Sequence, residues 1–443
     1  MAKNIYESMT DSQLDTELAK LEKEIDQLRF RDLTLDMTRG KPSPEQENLS
    51  RPLLDVLSST SDLANQMVDA ANYGAPDGIP SARRLMASVL EVDPQSLIIA
   101  GSSSLNIMYD IVTNAWLHGI RGNEPWGEQA RRKPLKFLCP SPGYDRHFLV
   151  TENAGFQNVP VAMTEDGPDM DEVCRLVETD PTVKGIWCVP KYSNPTGVTY
   201  SDATVRRFAA LKPAAPDFRI FWDNAYIVHD LTDRPDELLE IFGAIKEAGN
   251  DDLVYEFAST SKVTFAGSGI ACVAASAGDL AEIKHWFSIE RVCGNKINEL
   301  MHARYLRNKD GVLAHMAKHA EVLRPRFELV ERKLTEGLGN TGCASWSHPR
   351  GGYFVSFDGP EGSAKRIVAL AAELGVRMTA AGATWPNRHD PHDTNIRIAP
   401  SYPTLDDLSD ALDVFVECVK LVSAEIAKEE RTAKASKAAK ADK

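Results

Sequence analysis

Lys262 closes the run Ser259-Thr260-Ser261-Lys262, directly behind the apolar stretch Leu253 to Phe257. Lysine is nearly always exposed, and one enclosed between a strand and small or apolar residues has a lowered pKa and becomes a nucleophile toward aldehydes. The hydroxyls of Ser259 and Ser261 beside it suit an anion such as phosphate. A second strand, Phe218 to Trp222, ends on Asp223, with Tyr226 three residues on. Taken singly, Asp223 also reads as a helix cap or turn former, and Tyr226 as packed core. Asn194-Pro195-Thr196-Gly197 follows the stretch Gly185 to Val189 and is by itself a good turn. Gly101-Ser102-Ser103-Ser104 opens a helix behind Leu97 to Ala100, where unpaired N–H groups and hydroxyls make a phosphate cradle, helix capping being the plainer reading. It lacks the G-x-G-x-x-G spacing of a dinucleotide site. In Asn395-Ile396-Arg397-Ile398-Ala399, strand alternation sets Arg397 opposite the two isoleucines. A guanidinium in an apolar strand takes an anionic partner, either in a structural salt bridge or as the bidentate clamp of a bound carboxylate.

These residues are delivered by a regular alternation. Short apolar runs (Leu97 to Ala100, Leu135 to Leu138, Val159 to Met163, Gly185 to Val189, Phe218 to Trp222, Leu253 to Phe257, Ile270 to Ala275) are separated by amphipathic stretches. Such a pattern predicts an α/β large domain with a mainly parallel, seven-stranded sheet flanked by helices. Ligands of such sheets sit outside the carboxyl ends of the strands, where the polar residues above fall. Before them, Thr10 and Gln13 form a capping box leading the helical repeat Leu14, Leu18, Leu21, Ile25 and Leu28. Arg31 to Asp77 is rich in Pro, Gly and Ser and reads as an extended segment crossing a surface or another subunit. After about Ala281 the pattern turns helix-heavy, predicting a smaller α+β domain. The expected division is residues 1–50 as N-terminal helix and arm joining the small domain, 51–310 as the large domain, 311–430 as the small domain, and 431–443 as a disordered basic tail, since Arg431 to Lys443 holds no large apolar side chain.

The 443 residues carry 50 Lys and Arg against 64 Asp and Glu, a net charge of −14, so a basic nucleic-acid surface is not expected. Seven scattered cysteines without a C-x-x-C pair fit reduced thiols in a cytoplasm, and neither a disulfide framework nor a metal site. The first 35 residues hold no apolar h-region. The longest uncharged run, Val263 to Gly278, is too short and polar to span a membrane.

In this order, the motifs resemble the class I, fold-type-I pyridoxal-phosphate-dependent aminotransferases, and aspartate aminotransferases in particular, from about Leu35 to Ser401. The resemblance implies pyridoxal 5′-phosphate as cofactor, with Lys262 binding its aldehyde and later moving the proton between the substrate's Cα and the cofactor. It implies Asp223 on the pyridinium nitrogen, keeping it protonated so that the ring absorbs electrons. Tyr226 and Asn194 match the donors to the ring phenolate. Ser102, Ser103, Ser259 and Ser261 match the phosphate grip, and Tyr144 matches the aromatic residue on the ring. Tyr73 matches a tyrosine reaching the phosphate from the neighbouring subunit, so a homodimer with shared sites is implied. Arg397 matches the clamp on the substrate α-carboxylate, with the backbone of Gly40 nearby. Two departures stand out. The arginine expected seven or eight residues after the lysine is replaced by Gly269 and Ile270. The stretch that in the well-known subgroup supplies a distal-carboxylate arginine from the other subunit, about 34 residues after the lysine, holds Lys296, with Arg291 nearby, while Arg39 and Lys41 flank Gly40. The implied reaction is amino transfer from L-aspartate to 2-oxoglutarate. Aromatic or alanine-like substrates, or a lyase reaction, are the alternatives on the same fold.

Overall fold

The computed structural model describes residues 4–441. Its centre is a sheet in the order Leu97–Ile99, Ala271–Ala274, Val254–Ser259, Arg219–Asp223, Val183–Cys188, Lys136–Ser141, Gln157–Thr164, extended at one edge by the two-residue strand Gly167–Pro168. Ala271–Ala274 runs against both neighbours, and the four pairings from Val254–Ser259 across to Gln157–Thr164 are parallel. The anticipated seven strands are present, and the eighth is a short hairpin return.

Both faces of the sheet are covered, which is why its strands read as continuous apolar runs. Alternate residues divide between two cores: Trp187, Phe221, Tyr255 and Phe257 on one face, and Ile186, Cys188, Ile220, Trp222 and Val254 on the other. The cations inside the sheet's strands are paired. Lys184 reaches Asp217 at 2.7 Å, and Arg219 reaches Asp279 at 2.9 Å, all buried. Lys184 and Arg219 lie at the strand starts and leave the carboxyl ends of the sheet to other chemistry.

A separate core joins the N-terminal helix Asp11–Arg29 to the C-terminal third of the chain. The Thr10–Gln13 capping box is made as expected, and Leu14, Leu18, Leu21 and Ile25 are buried. The segment after it is less extended than its composition suggests. Leu35–Met37 pairs in parallel with Val376–Met378, and a second capping box, Ser43 with Gln46, starts a short helix at Pro44. The first pairing carries Gly40 to the mouth of the sheet's carboxyl edge.

The expected disordered tail needs correction. The last helix begins at Leu405 and continues to Ala441. Composition argued that residues 431–443 lack apolar surface to bury, but Ala and Lys are strong helix formers, and extending an existing helix fixes only one residue per added bond. Arg431 also ties the helix to the N-terminus, donating to the carbonyls of Tyr6 and Glu7 at 2.9 and 3.0 Å. Positions 442 and 443 lie outside the described residues. No helix among the described residues is long and apolar enough to cross a membrane.

Candidate active site

Four strand ends of the sheet open into one cleft of about 510 Å³, closed by Thr38–Lys41 and by Phe354, Met378–Ala380, Ala383, Trp385, Arg388 and Arg397 from the C-terminal part. Asp223 is the last residue of its strand and is buried. Its Oδ2 lies 3.1 Å from Nε2 of His147, whose ring stacks on Trp187 at 4.6 Å. Its Oδ1 is buried without any partner. A buried acceptor left unpaired costs about 1–3 kcal/mol, so Asp223 has one oxygen fixed by the protein and one available for a donor in the cleft.

Lys262 sits in the turn after Val254–Ser259, half-buried rather than enclosed, with Nζ 4.9 Å from the centroid of the Tyr226 ring. That turn is held by backbone bonds from Val263 and Thr264 to the Thr260 carbonyl at 2.9 and 2.8 Å. Burial pushes the Tyr226 hydroxyl well above its ordinary range and that of Tyr144 up to about 12. Both phenols are therefore protonated donors at neutral pH. Asn194 is buried, and its Oδ1 accepts from Arg397 at 3.3 Å, which leaves its amide N–H groups for another acceptor.

The serines gather at the other end. Ser261 Oγ donates to the Ser102 carbonyl at 2.9 Å and lies 3.0 Å from Ser259 Oγ. Ser103 stands at the N-cap of helix Ser104–His118, yet its side chain makes no capping bond. The helix-capping reading of this motif therefore fails, and the hydroxyl and the first-turn N–H groups are left for a ligand, an arrangement that suits phosphate. The missing arginine has a steric reason. A Cβ on Gly269 would lie 2.8 Å from the backbone nitrogen of Ser261, inside the turn that carries Lys262.

Arg397 projects from Asn395–Ile398 into the cleft, while Ile396 and Ile398 pack in the C-terminal core, as the alternation required. Its Nη1 donates to Asp145 Oδ1 at 3.1 Å, its Nη2 to Thr379 Oγ1 at 3.4 Å, and its Nε has no partner. The guanidinium lies over the Phe354 ring at 4.8 Å. That ring also explains Gly40, where an added Cβ would meet Phe354 Cζ at 2.2 Å. Gly40→Ala should displace the ring under Arg397 and raise KM for the amino acid about tenfold with a smaller change in kcat. Steady-state kinetics on both substrates check this.

Arg39 is exposed at the rim of the cleft. Tyr73 and Lys296, expected to serve a neighbouring subunit's site, lie away from this chain's own cleft. Tyr73 is 77% exposed on the outer surface, and Lys296 is buried against the Tyr73 loop. Arg291 is engaged by Asp110 at 3.2 Å and by Glu290. Sequence reasoning missed His147, Asp145, Phe354 and Arg388. His147 alone left a local signal, since it lies three residues after Tyr144 and so on the same helical face.

A lysine, a carboxylate with one unpaired oxygen, a serine-rich helix start and a carboxylate-binding arginine, set at the carboxyl edge of a parallel sheet, define an aminotransferase of the pyridoxal-phosphate-dependent fold. The comparisons agree. The family model described as aspartate amino-transferase matches residues 9–431, and the chain belongs to that family. A Mycolicibacterium smegmatis protein is 46% identical over 402 residues, covering 90% of this chain and 93% of that one. An aspartate aminotransferase of Corynebacterium glutamicum is 42% identical over 410 residues, 91% and 93% of the two chains. The crystal structure of an aspartate transaminase from the same species superposes with a TM-score of 0.93 at 40% identity, covering 96% of this chain and all of that one.

Proposed function

We propose that this aminotransferase transfers the amino group of L-aspartate to 2-oxoglutarate, using pyridoxal 5′-phosphate, as a cytoplasmic homodimer. The observation that carries the cofactor assignment is the unpaired, buried Oδ1 of Asp223 at the end of its strand, which fits a protonated ring nitrogen. The near-full-length likeness to an enzyme named aspartate aminotransferase supports the substrate assignment. So does the charge of the cleft, where Arg39, Lys41, Arg146, Lys262, Arg388 and Arg397 face only Asp145 and Glu152. A phosphate and a dicarboxylate need that excess. All seven cysteines are unpaired, in keeping with a reducing compartment.

In this reading Asp223, steadied by His147, would hold the ring nitrogen, Tyr144 would supply an aromatic face to the ring, and Tyr226 and Asn194 would donate to the ring oxygen. Ser102, Ser103, Ser259 and Ser261 hold the phosphate. The bound cofactor supplies an electron sink for the pair left at the substrate's Cα. Arg397 holds the α-carboxylate and so turns Cα toward Lys262. Lys262 Nζ takes the Cα proton and redelivers it, acting as general base and then general acid. Arg39 or Arg388 at the rim lies on the side where a second carboxylate is met. Water completes release of the oxo acid, and 2-oxoglutarate reverses the sequence.

The test is a comparison of kcat/KM for aspartate, glutamate, alanine and phenylalanine, since discrimination resides in that ratio. Dicarboxylic substrates should lead by at least about tenfold, because only they gain a charge-assisted, bidentate bond from a rim guanidinium. A preference for alanine or phenylalanine would overturn the aspartate assignment and leave the transaminase intact.

A further inference from the structure

The first turn of helix Lys296–Leu306 holds the loop that displays Tyr73. Lys296 is buried, and its Nζ donates to two backbone carbonyls, that of Asn72 and that of Gly74 at 3.0 Å, one on each side of Tyr73. One turn along, Glu299, also buried, accepts from the Ile79 N–H at 2.7 Å. The loop fits closely there. Gly78 has φ +91, and a Cβ on it would meet Ile99 at 2.6 Å and Glu299 Oε2 at 3.1 Å. Gly74 and Ala75 also take positive φ, at 102° and 51°.

The buried ammonium is held by carbonyls, with the Glu299 carboxylate near enough to feel its charge but in no ion pair with it, and such burial is unfavourable unless the geometry gained is needed. What these contacts fix is a single, strongly exposed tyrosine that touches no core of its own chain. We propose that Lys296 is a positioning residue, locking the 72–79 loop so that Tyr73 enters the cofactor-phosphate end of a second subunit's cleft. It does not meet the substrate's distal carboxylate. This rests on the shared-site homodimer proposed above. It accounts for a phosphate end that has serines and a helix start but glycine where an arginine would stand.

The test uses the full chain, as Lys296→Met, Lys296→Arg and Tyr73→Ala, with two readouts besides turnover: sedimentation for the dimer, and titration of each apoprotein with pyridoxal 5′-phosphate. Lys296→Met and Tyr73→Ala are expected to remain dimeric, to bind the cofactor at least about tenfold more weakly, and to keep the wild-type ratio of kcat/KM for aspartate over alanine. Lys296→Arg should recover part of the affinity. A purified heterodimer of one Lys296→Met chain and one Lys262→Ala chain should then hold one site of wild-type cofactor affinity, because the chain with the intact lysine receives the intact loop. Weak cofactor binding at that site would place the effect of Lys296 within its own chain and overturn the inference. So would unchanged affinity in Tyr73→Ala, or a change confined to the aspartate-to-alanine ratio in Lys296→Met. A wild-type protein that is monomeric and fully active would instead refute the shared-site reading itself.

Discussion

Lys262→Ala should abolish the visible absorbance of the covalently held cofactor and lower transamination by about 10⁴-fold or more, while the fold persists. The magnitude follows from losing two functions in one atom. In the proposed function Nζ is both the carrier that binds the aldehyde and the base that moves the Cα proton, and positioned proton transfer alone contributes about 10²–10⁴. No second lysine lines the cleft near it except Lys41, whose ammonium lies over the Tyr402 ring at 3.8 Å. Stability should change by less than about 1 kcal/mol, because Lys262 is half-buried and its turn is held by backbone bonds rather than by its side chain. The variant should still take up the cofactor without a covalent bond, since Asp223, Tyr144 and the serines are untouched. An absorbance spectrum, a thermal melt and a single-turnover assay read the three parts separately. Retained turnover would remove Lys262 from the chemistry.

The motifs that were legible in the sequence are those in which a chemical residue directly follows an apolar run. Asp223, Lys262, Asn194 and Ser102–Ser103 each sit within a few residues of a strand end, so the strand's position dictates theirs; Asn194 and Lys262 line the cleft, and Ser102 is tied to the Lys262 turn through Ser261. Arg397 was legible by alternation for the same reason. Residues whose role depends on a distant partner were not. His147 meets Asp223 from 76 residues away, and Asp145 meets Arg397 from 252 away. Nothing in a lone histidine or aspartate at the start of a helix announces such a pairing. Lys296 lies between the two cases. Its distance along the chain from Lys262 suggested a residue offered to the other subunit's cleft, and within its own chain its ammonium is held by carbonyls of the Tyr73 loop. The tail misled because composition reports on burial, while helix growth from Leu405 needs only propensity. Net charge was silent on the site: a chain at −14 contains a cleft lined mainly by cations, because total charge carries no information on where charge lies.

Asp223 provides the second large effect, and its two oxygens allow charge to be separated from shape. In Asp223→Asn the side chain keeps its size and one hydrogen bond to His147, but loses the negative charge that would hold a proton on the ring nitrogen. In Asp223→Ala both are lost. Turnover should fall by about 10³-fold in each, since stabilising charge as it develops in a buried site is commonly worth 10²–10³ per interaction, and a neutral ring nitrogen weakens the electron sink throughout. Stability should move little, and in the Ala variant two terms oppose each other. Removing Oδ1 relieves a buried, unpaired acceptor, while removing Oδ2 leaves His147 Nε2 without its partner; each is worth about 1–3 kcal/mol. A thermal melt should therefore show a shift of only a few degrees while kcat collapses. If Asp223→Asn kept near-normal kcat, hydrogen bonding rather than charge would be what the site requires, and Asp223 would be demoted from electrostatic partner to a support for His147.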